Sequence, residues 1–197
     1  MTDTIPAEQR SWLMSRIKSG DTQPEMIVRS ILHRLGFRFS LRRRDLPGKP
    51  DVVLRKWKCV VFVHGCFWHR HPGCAIATMP KSRVEFWQDK FDRNVARDAR
   101  VKAELEERGW RVIVVWECET KDRLALATRL SSEITATGES QSCAKNGAPF
   151  FASPDDDAYE YPLPAPEKIA KVAEEVAEYG RALAKRRRGH FEDSRKQ

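Results

Sequence analysis

The stretch CVVFVHGCFWHRHPGC, residues 59–74, joins an apolar, β-branched run to a loop rich in histidine and cysteine. From His64 onward it contains three of the chain's five histidines, two of its five cysteines and an adjacent Phe-Trp pair. A short apolar run of this kind is typical of a buried strand, so the polar residues should follow a strand end. The concentration of His and Cys predicts a metal site or a catalytic site. We expect both, sharing residues at their border.

The composition indicates one domain with an appendage. The chain has 197 residues, of which 41% are hydrophobic, enough for a core. Its formal net charge is +8, and residues 1–60 hold 13 Lys and Arg against six Asp and Glu. A basic segment indicates an acidic partner, most often nucleic acid, and the alternative is a solvated surface.

The chain has no apolar run long enough to span a membrane, and its first residues, MTDTIPAEQR, lack the apolar core of a signal peptide. We therefore expect a cytoplasmic, nucleoid-associated protein with no membrane partner. In a reducing compartment, five cysteines indicate metal ligands or free thiols rather than disulfides.

The periodicity predicts an α/β fold with a mixed sheet flanked by helices. Helices are expected over residues 6–19, 22–36, 82–109 and 121–134. Strands are expected over residues 38–44, 51–54, 58–63 and 110–116, the last fully buried. The buried side of the second helix should carry Met26, Ile27, Ile31, Leu32 and Leu35. The apolar stripe of the third helix should carry Val84, Trp87, Phe91, Val95, Val101 and Leu105.

The composition changes near residue 136, which divides the chain into three parts. Residues 1–135 form the main domain, and residues 136–166, rich in Ser, Gly, Pro and Asp, form a flexible linker. Residues 167–197 form an amphipathic helix with a basic tail. Its apolar positions are Ile169, Val172, Val176, Tyr179 and Leu183. This helix pairs with another chain, lies on DNA through residues 185–188 or folds back on the main domain.

Three residues of the loop have the spacing of a zinc site. Cys66, His71 and Cys74 form the pattern C-x4-H-x2-C, and zinc prefers four such ligands in a tetrahedron. Cys118 follows the strand at 110–116 and is the candidate fourth ligand. The alternative is that these cysteines are small buried apolar residues, as we expect for Cys59.

A carboxylate at the start of a strand indicates a second, harder metal. Asp51 ends the motif LPGKPD, and carboxylate oxygens bind Mg²⁺ while leaving it water ligands for chemistry. The backbone carbonyl of Val63 on the neighbouring strand is a candidate second ligand. A Pro-Asp pair is also an ordinary turn sequence, which is the alternative.

Two histidines and one aspartate are candidates for proton transfer. His64 and His69 remain once His71 is assigned to zinc, and histidine carries protons near neutral pH. Asp98 falls on the apolar stripe of its helix, where a buried carboxylate needs a partner. That partner is either a histidine of the site or an Arg or Lys at the helix edge.

Several motifs together resemble the very short patch repair (Vsr) mismatch endonucleases. They are SWLMSRIKSGDTQPE, LPGKPD, CVVFVHGCFWH, EFWQDKFDRNVARD and GWRVIVVWEC, in the family's order across residues 8–134. The resemblance implies a restriction-endonuclease-like fold of the PD-(D/E)xK class, with Phe62-Val63-His64 in place of the final carboxylate and lysine. It implies nicking of double-stranded DNA 5′ to the thymine of a T·G mismatch that arises when 5-methylcytosine deaminates.

The resemblance also implies residue roles. Asp51 would bind catalytic Mg²⁺, His69 would be the general base, His64 a second catalytic histidine and Glu25 a carboxylate near the metal. The implied structural Zn²⁺ ligands are Cys66, His71, Cys74 and Cys118. The residues implied to wedge into the base stack are Met14, Phe67 and Trp68.

The chain departs from the family pattern at three places. Val63 stands where threonine is usual, Pro72-Gly73 lengthens the metal loop by one residue, and the segment after residue 136 has no counterpart. We expect a monomer on DNA that works with a cytosine-5 methyltransferase and mismatch-repair proteins. Two alternatives stay open: a sequence-specific nickase of the same fold, and a zinc-stabilised DNA-binding module without catalysis.

Overall fold

The sheet in the computed structural model has three strands, and the structure describes residues 20–136 and 164–178. Strand β1 is Val52–Leu54, β2 is Cys59–His64 and β3 is Arg111–Trp116. β1 pairs antiparallel with β2, and β2 pairs parallel with β3, which confirms a mixed sheet. A turn at Arg55–Trp57 joins β1 to β2, with Lys58 in the left-handed region at a φ of 46°. The strands predicted over residues 51–54 and 58–63 are therefore confirmed, and they form a hairpin.

Helices cover both faces of the sheet. They are α1 (Gln23–Arg34), α2 (Val84–Glu107), α3 (Arg123–Thr135) and α4 (residues 166–178). Apolar side chains of α1, α3 and α4 form one core with one face of the sheet, while α2 packs through Leu105 on the other. The three layers follow from the period-2 alternation of the strands, which gives each face its own apolar side chains.

Helix α1 begins where its sequence predicts. Thr22 is the N-cap, its hydroxyl accepts the backbone N–H of Glu25, and the Glu25 side chain accepts the backbone N–H of Thr22 in return. This capping box satisfies two amide groups that the helix leaves without partners. It also places the carboxylate of Glu25 at the helix N-terminus.

The guanidinium group of Arg111 joins the start of β3 to the end of α3. It donates hydrogen bonds to four backbone carbonyls, those of Trp57, Glu133, Ile134 and Ala136, at 2.6–3.1 Å. The last carbonyls of a helix have no partner within the helix, so a cation at this position stabilises it. The contact holds α3 against the sheet.

Residues 166–178 fold back on the main core. Val172 and Val176 are buried among the side chains of α1, α3 and the sheet. Arg34 forms an ion pair with Glu175, and Arg123 donates a hydrogen bond to the carbonyl of Val176 at 2.9 Å. Of the three predicted placements, the described part of this helix adopts the third. Tyr179, Leu183 and the basic tail lie outside the described residues, as does residue range 137–163 of the predicted linker.

Four sequence predictions about the fold are wrong. Residues 38–44 form no strand, because only Ser40 pairs with β1, through Val53, and Arg42 has a φ of 45°. Strand β3 is not fully buried, since it is an edge strand and only Ile113 and Val115 are buried along it. Met26 is 43% exposed in α1, where Val28 takes the buried position. Val84 and Val95 of the α2 stripe are 47% and 45% exposed. The predicted helix at 6–19 lies outside the described residues.

None of the helices within the described ranges is both long enough and apolar enough to cross a lipid bilayer.

Replacement of Leu130 by alanine should destabilise the fold by about 2–5 kcal/mol, because Leu130 is fully buried in the core between α1, α3 and the sheet. Leu124→Ala is the matched control in the same helix, since Leu124 is 50% exposed, and it should change stability by less than about 0.5 kcal/mol. Urea unfolding followed by circular dichroism measures both. Equal losses in the two variants would contradict this packing.

Candidate active site and metal centre

The parallel pairing of β2 and β3 brings two distant cysteines together. The last paired residues are His64 and Trp116, and each strand is followed within two residues by a cysteine, Cys66 or Cys118. The backbone N–H of Cys118 lies 3.4 Å from the sulfur of Cys66. Parallel strands end at the same edge of a sheet, so this meeting follows directly from the strand register.

The predicted zinc ligands form one cluster. The ligand atoms of Cys66, His71, Cys74 and Cys118 all lie within 4.8 Å of one another. His71 Nδ1 lies 3.8 Å from Cys66 Sγ and 3.3 Å from Cys118 Sγ. Tetrahedral zinc, with bonds of about 2.0–2.3 Å, separates its ligand atoms by about 3.4–3.8 Å. Three sulfurs and one imidazole nitrogen at these separations fit a structural Zn²⁺ ion.

The thiols of this cluster differ in acidity. A backbone hydrogen bond from Ile76 lowers the pKa of Cys74 to about 7. Burial raises the pKa of Cys66 to about 12 and also raises the pKa of Cys118. A bound cation would displace the protons of the buried thiols, because thiolates rather than thiols ligate zinc.

Neighbouring polar groups hold the two cysteine segments in place. Glu117 Oε2 lies 3.3 Å from the backbone N–H of Cys66, which donates to it across the two segments. The carboxylate of Glu119 accepts the backbone N–H of Trp116 at 2.7 Å and pairs with Arg129 of α3 at 3.0 Å. These contacts orient the turn that carries Cys118.

The longer metal loop is accommodated by two left-handed residues. Arg70 has a φ of 54° and Gly73 a φ of 70°. The backbone N–H of Cys74 donates to the carbonyl of His71, which closes the turn through Pro72-Gly73. The extra residue therefore leaves Cys74 within the cluster.

Asp51 lies directly before β1 and is partly buried. Its Oδ2 accepts the backbone N–H of Val63 on β2 at 2.8 Å. Burial raises its pKa, although the hydrogen bond from Val63 acts in the opposite direction. A nearby cation would stabilise the ionised form. The contact that the structure shows involves the amide of Val63, and the role of its carbonyl as a Mg²⁺ ligand stays a prediction.

His64, His69 and Asp98 form a second cluster. The imidazole rings of His64 and His69 are stacked with centroids 3.9 Å apart. His69 Nδ1 lies 2.5 Å from Asp98 Oδ2, and Arg97 contacts the other carboxylate oxygen at 3.4 Å. Both partners predicted as alternatives for Asp98, a site histidine and a basic side chain, are present. The three ligand atoms lie within 4.8 Å of one another, a set that is also able to hold a cation.

The ionisation of this cluster suits proton transfer. Burial and the neighbouring His69 lower the pKa of His64 to about 4, so His64 is neutral at pH 7. The pKa of Asp98 is lowered, because the contacts with His69 outweigh the opposing effect of burial. An ionised Asp98 accepts a hydrogen bond from Nδ1 of His69 and leaves Nε2 free to accept a proton.

Asp51 lines the same groove as His64, His69 and Asp98, and this groove has a volume of about 600 Å³. The five predicted catalytic residues that line it are Glu25, Asp51, His64, His69 and Asp98. Its basic lining residues are Arg42, Arg44, Lys49 and Arg97. Carboxylates and imidazoles inside a basic rim fit a phosphodiester that is bound and hydrolysed.

Glu25 lines the groove as part of an ion network in which Glu25 and Arg29 are buried and Asp21 and Arg42 are exposed. Arg29, itself 8% exposed, pairs with Glu25 and Asp21 at 2.6 Å each. Arg42 pairs with the same two carboxylates at 3.3 and 2.7 Å. The two arginines offset the negative charge of Glu25, which allows it to be buried beside Asp51. The i,i+4 spacing of Glu25 and Arg29 on one helix is the local sequence signal for their ion pair.

Phe67 and Trp68 lie in an aromatic cluster rather than free in solvent. The ring of Phe67 contacts Trp68, Trp87 and Phe91 edge-on, with centroids 5.1–5.7 Å apart. Lys90 lies over the Trp68 ring at 5.1 Å. Phe67 and Trp68 are only partly buried, so each ring packs on its neighbours and still has surface with which to contact a DNA base. Met14, the third predicted wedge residue, lies outside the described residues.

The comparisons with known proteins agree with this arrangement. Residues 2–75 match the family model described as DNA mismatch endonuclease Vsr. The chain is 52% identical over 130 residues to the type II nicking enzyme V.XorIIP of Xanthomonas oryzae pv. oryzae, covering 66% of this chain and 95% of that protein. It is 45% identical over 131 residues to the type II nicking enzyme V.NmeAIP of Neisseria meningitidis, covering 66% and 93%.

A third relative is itself named for mismatch cleavage. The DNA mismatch endonuclease Vsr of Escherichia coli is 39% identical over 157 residues, which cover 77% of this chain and all of that protein. Each motif that carries the resemblance contributes at least one described residue to the groove or to the cysteine cluster. The chain thus belongs to the Vsr family of DNA mismatch endonucleases.

Proposed function

We propose that this endonuclease nicks one strand of DNA 5′ to the thymine of a T·G mismatch and so starts very short patch repair. The observation that carries the proposal is the common groove in which Asp51, the stacked histidines and Asp98 face a basic rim. The E. coli relative is named for mismatch cleavage, which supports the choice of substrate. We also propose that the fold is a PD-(D/E)xK variant in which His64 stands at the end of the second strand.

The proposed chemistry is hydrolysis with a histidine base. Asp51 would hold Mg²⁺ together with the Val63 carbonyl, and the ion would supply positive charge to the phosphate oxygens. Nε2 of His69 accepts the proton of the attacking water, while Asp98 orients His69 through Nδ1. His64 is neutral at pH 7 and stacks on His69, and this contact limits rotation of the His69 imidazole.

Binding and recognition would fall to the surrounding residues. The basic residues of the groove rim neutralise phosphates, and Glu25 provides a further carboxylate near the metal. Phe67 and Trp68, with Met14, would insert beside the mismatch, where bases unstack at the lowest cost. The Zn²⁺ bound by the cysteine cluster would be structural and would hold the loop that carries Phe67, Trp68 and His69.

The proposed cellular partners follow from the substrate. A cytosine-5 methyltransferase would create the base whose deamination yields the mismatch, and mismatch-repair proteins would share the pathway. We propose that the enzyme acts as a monomer on DNA.

A sequence-specific nickase is the second candidate. Two relatives that share 52% and 45% of aligned residues are named type II nicking enzymes. The flanking sequence around the mismatch would then determine cleavage more strongly than the mismatch. A DNA-binding module without catalysis is disfavoured, because the groove brings together Asp51, both histidines and Glu25.

The substrate is tested by nicking of hairpin duplexes that carry T·G or T·A at one position within randomised flanks. With Mg²⁺, the wild-type enzyme should cut the T·G hairpins 5′ to the thymine and leave T·A hairpins intact. EDTA should stop the reaction. Asp51→Asn should slow it by about 10²- to 10⁴-fold, because it removes the charge that holds the cation. Equal cutting of T·A and T·G hairpins would contradict mismatch specificity and favour the sequence-specific nickase.

Trp68→Ala should lower the preference for T·G over T·A duplexes, measured as the ratio of kcat/KM values. The expected loss is about 5- to 150-fold, because stacking of a base on an aromatic ring contributes about 1–3 kcal/mol. Trp68→Phe keeps an aromatic ring and should retain most of the preference. Unchanged discrimination in Trp68→Ala would remove this residue from recognition.

Alkylation of cysteines followed by mass spectrometry tests the metal centre, with elemental analysis expected to find one zinc per chain. Cys66, Cys74 and Cys118 should be protected in the metal-loaded protein and become labelled after chelation. Cys74 should react first, because its pKa is lowered to about 7. Cys59 is the internal control, since burial raises its pKa to about 12 and it should stay unlabelled while the fold persists. Labelling that is equally fast with and without chelator would contradict metal binding.

A further inference from the structure

Four aromatic rings connect the cysteine cluster to the catalytic groove. His71 stacks on the face of Trp116, with centroids 4.3 Å apart and planes 12° apart. The Trp116 ring meets His64 edge-on, at 5.4 Å and 73°. His64 then stacks on His69 at 3.9 Å and 11°, and His69 contacts Asp98. The ring of His71 is therefore three ring contacts away from the ring of His69, the proposed general base.

The position of Trp116 is set by the sheet. Trp116 and His64 are the last paired residues of β3 and β2, so their side chains leave the sheet side by side on the same face. The carboxylate of Glu119 accepts the backbone N–H of Trp116 at 2.7 Å, and Arg129 holds Glu119 in turn. The backbone of Trp116 is thereby fixed at both the strand and the turn that follows.

The two neighbours of Trp116 are held in different ways. His71 directs Nδ1 toward the sulfurs of Cys66 and Cys118, so a metal on that nitrogen would fix the plane of the imidazole. The ring of His64 is bounded instead by the rings of Phe62, His69 and Trp116. An indole packed between them transmits the orientation of the first ring to the second, because packed rings resist rotation.

We propose that Trp116 is a positioning residue that couples the metal centre to the stacked catalytic histidines. The inference deepens the proposed function and rests on it for the role of His69. With the metal bound, His71 holds the indole, the indole holds His64, and His64 holds His69 in the orientation in which Nδ1 faces Asp98. Loss of the metal or of the indole leaves His64 and His69 free to rotate away from it.

The first arm of the test is kinetic. Trp116→Ala should keep one zinc per chain and a nearly unchanged KM for T·G hairpin DNA, while kcat falls by about 10- to 100-fold, the range seen when a group that orients an active-site residue is removed. Trp116→Phe keeps a flat ring and should stay within a few-fold of wild type. Trp57→Ala is the matched control and should leave kcat unchanged, because it removes an indole that packs on Phe37 at the opposite end of β2. If Trp116→Ala does not fold, Trp116→Leu serves in its place.

The second arm needs no activity. In protein labelled with 5-fluorotryptophan, the ¹⁹F resonance of Trp116, assigned by its loss in Trp116→Phe, should shift on zinc removal, return on zinc addition and also shift in His64→Ala. The resonance of Trp57, which packs on Phe37 at the opposite end of β2, should stay in place.

Three results would overturn the coupling. They are wild-type kcat in zinc-loaded Trp116→Ala, loss of zinc from that variant, and a Trp116 resonance that does not respond to zinc. Failure of the proposed function has a different signature: the wild-type enzyme would not nick T·G hairpins at all. The ¹⁹F arm would then decide the coupling by itself.

Discussion

The parallel pairing of β2 with β3 is the constraint on which both sites depend. Six residue pairs, from Cys59 with Arg111 to His64 with Trp116, align the two strands and end them at one edge of the sheet. Cys66 and Cys118, 52 residues apart in sequence, meet only because of this register. The same edge receives His64, and the hairpin from β1 brings Asp51 against Val63. A shift of β3 by one residue would turn Trp116 to the opposite face and separate it from both histidines.

The groove concentrates acidic groups that repel one another, and the fold offsets this in two ways. Glu25 is buried against Arg29 and Arg42, so its charge is balanced within the protein. Asp51 is matched mainly by a backbone amide, and burial raises its pKa. Two arginines neutralise Glu25, whereas the hydrogen-bond partner of Asp51 is an uncharged backbone amide. This difference in charge favours a cation beside Asp51 rather than beside Glu25.

The loop between the two sites serves both. Cys66, His71 and Cys74 belong to the cysteine cluster, while Phe67, Trp68 and His69 lie between them in sequence and face α2 or the groove. A metal bound by those three side chains would restrict the loop to few backbone conformations without the help of a hydrophobic core. On the far side of the sheet, residues 166–178 complete the core over α1 and α3 and take no part in the groove.

The sequence by itself determined the local features: the Thr22 capping box, the hairpin of β1 and β2, the long helix α2, the three metal ligands of the loop and the carboxylate of Asp51. These depend on neighbouring residues, whose propensities and spacing are visible in the chain. The strand end before Cys118 made it the candidate fourth ligand, and the resemblance to a family added the predicted role of Glu25. Only the tertiary structure decided that His69 is the partner of Asp98, that Trp116 lies between His71 and His64, and that Met26 and Val95 are exposed. It also left residues 38–44 without a strand. Strand register and the coverage of each face arise from contacts between distant segments, so local periodicity carries no record of them.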